Sequence, residues 1–182
     1  MTKTNTIKNF PLVSVIIPLF NYEQYVADCI DSIAKQDYEN IEIILIDNAS
    51  TDNGLRIARD RLASCGVSHK VIENDQNIGI CASLNRALQA VNGDYTCIIS
   101  SDDLLAQGRI SRHIKILESP INKDISVCNG PIIVMKDDAT PTSKLRFVGN
   151  LTNNKKFSFE SIVKKTDCPT LQGCTFVTNV LK

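Results

Sequence analysis

The chain has 182 residues, of which 43% are hydrophobic and 22% charged, an ordinary composition for a folded globular protein. Twenty basic and twenty acidic residues leave no formal net charge, so electrostatics predicts no nucleic-acid partner. The first ten residues are too polar for a signal peptide, and no transmembrane segment is predicted. We therefore expect a cytoplasmic protein, for which peripheral membrane association stays open. Seven scattered cysteines without metal or redox spacing are expected to be free thiols.

The hydrophobic pattern of the first 117 residues alternates between strand and helix. β-Branched runs predict strands, and amphipathic spacing after each run predicts a helix. The predicted elements, in order and alternating from strand to helix, are 12–18, 26–33, 41–46, 55–62, 67–73, 80–91, 95–99 and 110–117. This order is typical of an α/β protein with helices on both faces of a mostly parallel sheet.

Beyond Pro120 the pattern is less regular. A strand is predicted over 125–135, with a bend at Gly130-Pro131, and a solvated hairpin or mobile loop over 136–156. A short helix over 157–165 and a last strand over 171–180 complete the prediction.

Polar residues follow three of the four predicted parallel strands. They are Asp47-Asn48, Glu73-Asn74-Asp75 and Asp102-Asp103. The carboxyl ends of parallel strands lie on one edge of a sheet, so these groups are expected to converge there. Asp47 and Asn48 could bond the edge of a nucleobase, and the two adjacent aspartates could hold a divalent cation that also binds a diphosphate.

Helix capping and turn formation are the alternatives to a binding site. Asp102 and Asp103 could cap the following helix, Ser50 and Asp52 are expected to be caps, and Asn77 with Gly79 could form a turn.

Several other enzyme classes lack their signatures here. The first strand runs into Pro18-Leu19-Phe20-Asn21-Tyr22, without the glycine-rich loop of a dehydrogenase, a P-loop protein or a nucleotidyltransferase. His69 and His113 stand beside no nucleophile in the sequence, so both are expected to be structural or surface residues.

Four segments resemble the nucleotide-sugar-dependent glycosyltransferases of family 2, in the order and spacing of that family. They are VSVIIPLFNYEQYV at 13–26, IEIILIDNASTDNG at 41–54, NIGICASLNRAL at 77–88 and GDYTCIISSDDLL at 93–105. The resemblance covers roughly residues 12–117 strongly and the remainder weakly. It implies the GT-A fold, a Rossmann-like three-layer α/β/α sandwich. It also implies transfer of a sugar to an acceptor hydroxyl with inversion.

The resemblance further implies roles for single residues. The residues expected to contact the nucleotide sugar are Pro18, Phe20, Asn21, Tyr22, Asp47, Asn77, Gly79, Asn85 and Asp102. Among them, Asp47 matches the carboxylate that bonds the nucleobase. Asp103, together with Asp102, would coordinate Mn²⁺ or Mg²⁺ on the diphosphate. A UDP- or dTDP-sugar is the expected donor, and a glycan or lipid-linked molecule the acceptor, in cell-surface polysaccharide or glycan biosynthesis.

The sequence departs from the family pattern at three points. Asn48 and Ser100 stand where aspartate is common, and the carboxylate that serves as general base is expected beyond Lys182. We therefore expect an N-terminal fragment with a tail over 1–10, a nucleotide-sugar-binding half over 11–120 and the start of an acceptor-side half over 121–182. The alternative is a nucleotide-sugar-binding module without transfer activity.

Overall fold

The computed structural model describes residues 10–130, 132–135, 141–146 and 173–182, with side chains described for 10–130 and 173–182. The predicted alternation of strands and helices is confirmed. The elements are β1 (Val13–Leu19), α1 (Val26–Ala34), β2 (Ile41–Asp47), α2 (Gly54–Ser64), β3 (Ser68–Glu73), α3 (Ile80–Leu88), β4 (Tyr95–Ile98) and α4 (Arg109–Leu117). Helix α3 ends before Val91, which the prediction included. Val91 is buried although it lies past the helix, so it fitted the apolar pattern.

The remaining described strands are β5 (Val127–Asn129), β6 (Ile132–Met135), β7 (Pro141–Arg146) and β8 (Cys174–Val177). The central sheet has six strands in the order β3-β2-β1-β4-β8-β5. Strands β1 to β4 are parallel, whereas β8 runs antiparallel between β4 and β5. The expected mostly parallel sheet is therefore confirmed.

Helices cover both faces of this sheet and make three layers. Alternate residues of β1 and β2, such as Val15 and Ile43, pack with α1, α2 and α4 in one core cluster. The intervening residues, such as Ile16 and Ile44, pack against α3 in a second cluster. Side chains of a strand point alternately to opposite faces, so the nearly continuous apolar runs are buried on both sides.

The prediction of one strand over 125–135 is wrong. The segment divides into β5, which pairs with β8 in the central sheet, and β6, which pairs with β7 in a separate hairpin. The pairing with β8 extends to the backbone N–H of Gly130, which donates to the carbonyl of Gly173 over 2.9 Å. Proline has no backbone N–H to continue a ladder, and Pro131 comes next.

Strand β7 confirms the hairpin alternative for part of 136–156, while the predicted helix over 157–165 lies outside the described residues. The predicted last strand is shorter than expected, because β8 passes into a 3₁₀ turn at Thr178–Val180.

The carboxylate of Glu42 is nearly buried, with 8% of the residue exposed. Glu42 of β2 accepts hydrogen bonds from the Ser14 hydroxyl and from the backbone and side-chain amide of Asn92. Burial raises the pKa of Glu42, but these hydrogen bonds outweigh it and hold the pKa below its usual range. The Gly93 N–H donates to the Ser14 hydroxyl over 2.9 Å, so this cluster fixes the turn before β4.

Candidate functional site

The chain reverses its direction across the sheet between β1 and β4. The connections from β1 to β3 run one way, with α1 and α2 on one face, and α3 returns across the other face to β4. The loops that follow β1 and β4 lead to α1 and α4, which pack on the same face of the sheet, and we call the space between these two loops at the carboxyl edge the crevice. In open α/β sheets this switch point is where ligands bind.

Asp102 and Asp103 lie at this crevice and do not cap α4. The helix begins six residues later at Arg109, and its N-cap is Gly108, at φ +72° and without a side-chain hydrogen bond. The helix-cap alternative for the two aspartates is therefore wrong. Burial and the neighbouring Asp102 raise the pKa of Asp103, and the nearby Arg109 only partly offsets this.

The Tyr22 side chain lies between the two sides of the crevice. Its phenol, from the loop after β1, is near the Asp102 carboxylate after β4. The negative charge of Asp102, and then burial, raise the pKa of Tyr22. The phenol therefore stays protonated beside Asp102 at neutral pH.

Asp47 lies at the end of β2 and is nearly buried, with 3% of its surface exposed. Its two carboxylate oxygens accept hydrogen bonds from the Ser50 hydroxyl and the Ser50 backbone N–H. Each carboxylate oxygen can accept a second bond, so Asp47 keeps capacity for a ligand. The prediction that Ser50 is a helix cap is wrong, because the N-cap of α2 is Asn53 and Ser50 instead donates to Asp47.

The loops after β1 and β2 are fastened to each other. Asn21, at φ +58°, accepts the Thr51 N–H on its Oδ1 over 2.8 Å, and its own N–H donates to the Ser50 hydroxyl. Asp52 accepts the backbone N–H groups of Glu23 and Gly54, both over 2.9 Å. Asp52 therefore binds the first residue of α2, which is the kind of contact expected of a cap. It also binds the loop after β1, which the prediction did not include.

Asn48 positions the segment before α3. Its Nδ2 donates to Asn77 Oδ1 over 2.7 Å, and its Oδ1 accepts the Ile78 N–H over 3.0 Å. Asn77 Oδ1 also accepts the Gly79 N–H over 3.0 Å, so the predicted turn is present. Gly79 has φ +81°, a conformation that favours glycine, and it is the N-cap of α3.

Asn74, which belongs to one of the predicted polar clusters, lies behind this turn with two residues of α3 that were not predicted, Ser83 and Arg86. Buried Asn74 donates from Nδ2 to Asn48 Oδ1 and to the Ser83 hydroxyl, each over 3.0 Å. Arg86 of α3 donates to Asn74 Oδ1 and to the Glu73 carbonyl. The amide-rich stretch from Asn74 to Asn77 was the available signal, but the partners could be identified only in the fold.

The other predicted site residues lie at the end of β1, before α3 or on α3. Pro18 is half-buried in β1, and Phe20 and Tyr22 are 41% and 40% exposed at its end. Asn85 lies exposed on α3. The structure thus brings the β1, β2 and β4 residues to one edge, with Asn77 and Gly79 beside them and Asn85 further along the helix.

The donor set suits a cation that is shared with a ligand. In the two segments with described side chains, no three His, Cys, Asp or Glu residues form a metal cluster. Asp102 and Asp103 supply two adjacent carboxylates, and Mg²⁺-type sites often consist of one or two carboxylates completed by substrate phosphates and water. The residues therefore fit a cation bound together with a diphosphate, but not a metal cage made of protein ligands alone.

Three further findings concern regions outside the crevice. A cleft of about 650 Å³ lies at the opposite, amino-terminal edge, between the ends of α1 and α2, and contains none of the predicted site residues. No helix in the described part of the chain is long and apolar enough to cross a membrane. The six cysteines of the described residues are free thiols, as expected, and Cys168 lies outside that part.

Comparison with known proteins gives a consistent picture. The profile described as glycosyl transferase family 2 matches residues 14–180. EpsE of Bacillus subtilis (strain 168), provisionally named a glycosyltransferase, is 42% identical over 108 residues, which are 59% of this chain and 39% of EpsE. The glycosyltransferase GlyG of Streptococcus pneumoniae serotype 4 is 34% identical over 99 residues, 54% of this chain and 33% of GlyG. The matches to these two curated relatives thus cover well under half of their length.

Solved structures share the fold. TarS 1–349 from S. aureus superposes with a TM-score of 0.69 at 23% identity, covering 93% of this chain and 48% of TarS. It has also been solved with UDP and with UDP-GlcNAc. The mannosyltransferase PcManGT from Pyrobaculum calidifontis, in complex with GDP-Man and Mn²⁺, gives a TM-score of 0.62 at 25% identity, covering 71% of this chain and 37% of PcManGT. The expected GT-A fold is confirmed by these likenesses.

Proposed function

Because this chain belongs to glycosyltransferase family 2, we propose that it is the nucleotide-sugar-binding part of a metal-dependent, inverting glycosyltransferase. The observation that carries the proposal is the pair Asp102 and Asp103 at the crevice between β1 and β4, with the Tyr22 phenol near Asp102. Two adjacent carboxylates, one of them half-buried, repel each other until a cation is bound. A nucleoside diphosphate brings such a cation and shares it with the protein.

The residues on either side of this pair suit the rest of the nucleotide. Asp47 accepts hydrogen bonds from Ser50 and can accept another from a nucleobase N–H. Pro18, Phe20, Asn21 and Tyr22 form one wall, while Asn77, Gly79 and Asn85 belong to the segment opposite. Asp102 would lie near the ribose and the metal, and Asp103 would coordinate Mn²⁺ or Mg²⁺. When bound, the cation neutralises the diphosphate leaving group.

The reaction exchanges one bond at the anomeric carbon. The acceptor hydroxyl oxygen forms a bond to that carbon, the bond to the diphosphate oxygen breaks with its electron pair, and a base takes the hydroxyl proton. Attack on the face opposite the leaving group inverts the configuration. We assign the general base to none of the residues that the structure describes, and divide the chain between a tail over 1–10, the nucleotide-sugar half over 11–120 and an acceptor-side segment over 121–182.

The solved structures support the class of ligand. PcManGT holds GDP-Man and Mn²⁺, and TarS holds UDP or UDP-GlcNAc. For this chain we propose a UDP- or dTDP-sugar as donor and a glycan or lipid-linked acceptor. We place the enzyme in the cytoplasm, where it would contribute to cell-surface polysaccharide or glycan biosynthesis.

Calorimetric titration of the chain with UDP, dTDP and GDP, each with and without Mn²⁺, tests the donor site. We expect one nucleotide to bind with Mn²⁺, and Asp103→Asn to weaken that binding at least tenfold, since a charged ligand of the cation is lost. Asp60→Asn removes the same charge from the exposed surface of α2 and serves as the matched control.

Either of two results would contradict the donor site. One is a folded wild-type chain that binds none of the three nucleotides with Mn²⁺. The other is equal loss of affinity in Asp103→Asn and Asp60→Asn, which would mean that the aspartate pair has no special role. Metal-dependent binding without turnover by the natural full-length protein would instead favour the binding module without transfer activity.

A further inference from the structure

The side-chain amide of Asn48 has one possible orientation. Its Oδ1 accepts the backbone N–H of Ile78 over 3.0 Å, and a backbone N–H can only donate. The Nδ2 of Asn48 is therefore the atom that faces Asn77, where it donates to Oδ1 over 2.7 Å. Asn48 is 7% exposed, so water is not a ready substitute for either partner.

The orientation of Asn77 follows in the same way. Its Oδ1 accepts two hydrogen bonds, from Asn48 Nδ2 and from the backbone N–H of Gly79. Its Nδ2 donates to no group in the part of the chain that the structure describes, and the residue is exposed. Asn77 therefore directs an NH₂ donor outward from the carboxyl edge of the sheet.

A third donor orients the amide behind Asn48. The Arg86 guanidinium can only donate, and it donates to Asn74 Oδ1. Asn74 Nδ2 is thereby left to donate to Asn48 Oδ1 over 3.0 Å. Rotating the side-chain amide of Asn48, Asn74 or Asn77 by 180° would place two donors or two acceptors opposite each other.

We propose that Asn48 is a positioning residue that holds the NH₂ group of Asn77 outward, where it donates to an acceptor oxygen of the bound nucleotide. This inference rests on the proposed function and deepens it. The residue at position 48 determines whether Asn77 presents its NH₂ group or its oxygen to the ligand. A carboxylate at position 48 could only accept hydrogen bonds. Asn77 would then rotate to donate to it, turn its oxygen toward the ligand, and leave the Gly79 N–H without its acceptor.

The binding test uses a double-mutant cycle with Asn48→Asp, Asn77→Ala and the two combined. Titrations use Mn²⁺ and whichever of UDP, dTDP and GDP binds the wild type most tightly. We expect each single variant to weaken binding about tenfold, the cost of one lost or reversed hydrogen bond to the ligand. The combined variant should bind no more weakly than Asn77→Ala, because Asn48 acts through Asn77.

Gln76→Glu is the matched control. It adds the same charge to the same loop, next to Asn77, at an exposed residue. We expect it to change the affinity less than about twofold, since an exposed charge is screened by solvent and salt. Thermal unfolding of every variant checks that each is folded.

A second readout needs no nucleotide. Hydrogen exchange of the Gly79 amide, followed by NMR, reports whether its bond to Asn77 Oδ1 is intact. We expect faster exchange in Asn48→Asp than in the wild type, and unchanged exchange in Gln76→Glu. A merely destabilised fold would accelerate exchange in β1 and β2 as well, which the same spectra measure.

The nucleotide oxygen that Asn77 meets belongs to the nucleoside or to the diphosphate. Titration with the corresponding nucleoside separates the two: if Asn48→Asp weakens nucleoside binding as much as nucleotide binding, the oxygen is on the base or ribose. If only nucleotide binding weakens, the oxygen is on the diphosphate.

Three results distinguish the failures. If the wild type binds a nucleotide but Asn48→Asp binds it equally well, the role of Asn48 is refuted and the proposed function stands. If Asn48→Asp weakens binding equally with and without Asn77, the action through Asn77 is refuted. If the folded wild type binds no nucleotide, the proposed function fails and the role of Asn48 falls with it, whatever happens at Gly79.

Discussion

The phenol of Tyr22 lies near the carboxylate of Asp102 at the crevice between β1 and β4, close enough for the charge of Asp102 to raise the pKa of Tyr22. Tyr22 follows the first strand and Asp102 follows the fourth, and these strands are neighbours in the sheet. The contact therefore spans the point where the chain reverses its direction across the sheet. It brings an uncharged phenol beside one of the two carboxylates that we propose bind the cation.

This contact predicts the titration of the Tyr22 phenol. Asp102 is the largest cause that raises the pKa of Tyr22, so Asp102→Asn is expected to lower that pKa toward its ordinary value. NMR of ¹³Cζ-labelled tyrosine, followed from pH 8 to 12, measures it. Asp60→Asn, which removes a charge from α2, should leave the Tyr22 titration unchanged. Equal titration of Tyr22 in the wild type and Asp102→Asn would mean that the contact does not form in solution.

We predict that the folded chain loses stability in acid, where Glu42 becomes protonated. Its pKa is lowered in the folded chain, so its contribution is present above the unfolded pKa and is lost as the pH falls through the folded pKa. Glu42→Gln should cost about 2 kcal/mol at pH 7, because Ser14 and Asn92 lose a charged acceptor. Urea unfolding at pH 7 and pH 3 should show a smaller difference between the variant and the wild type at the lower pH. An equal difference at both pH values would contradict this role.

We predict that any side chain at position 93, in the turn before β4, would clash with the neighbouring backbone. A Cβ atom there would lie 2.6 Å from the Ser14 hydroxyl and 2.7 Å from both the Leu12 carbonyl oxygen and the Ser14 nitrogen. Two of these atoms are backbone, so Gly93→Ala should destabilise the fold by about 3 kcal/mol. Gly66→Ala is the control, since a Cβ there meets no atom within 4 Å and only φ +75° opposes it, at about 1 kcal/mol. Urea unfolding that ranks Gly66→Ala as the costlier change would refute the clash.

We predict that His113 makes the stability of the fold depend on pH in a second, less acidic range. Burial, and then the nearby charge of Arg109, lower its pKa to about 4, and its Nδ1 is paired with the Thr175 hydroxyl at 2.8 Å. Below the ordinary histidine pKa of about 6.5, His113 is protonated in the unfolded chain but stays neutral in the folded chain. Stability should therefore fall as the pH drops from 6.5 to 4, and His113→Asn should remove this part of the slope.

The exposed His69→Asn variant is the control for that experiment, because it keeps His113 and should keep the slope. Midpoints of urea unfolding at half-unit intervals of pH compare the three proteins. A slope that disappears with His69 instead of His113 would refute the assignment.

The sequence alone was sufficient to place Asp47, Asp102 and Asp103 at one edge of the sheet. Apolar runs such as 41–46 predict buried strands, because each strand is covered on both faces. A parallel sheet then brings all the strand ends to one side, so residues that follow the runs must converge there. The single glutamate inside the second run, Glu42, was visible in the sequence, but its partners were not.

Only the tertiary structure determined which polar groups are hydrogen-bonded to each other and how the strands are ordered in the sheet. Asn48 and Ile78 are separated by 30 residues, and Glu42 and Asn92 by 50, so no local pattern could pair them. The insertion of β8 between β4 and β5 depends on backbone pairing, which hydrophobic periodicity does not specify. Burial periodicity thus determined the elements and the edge that carries the site. The orientation of each polar group at that edge follows from donors and acceptors that only folding brings together.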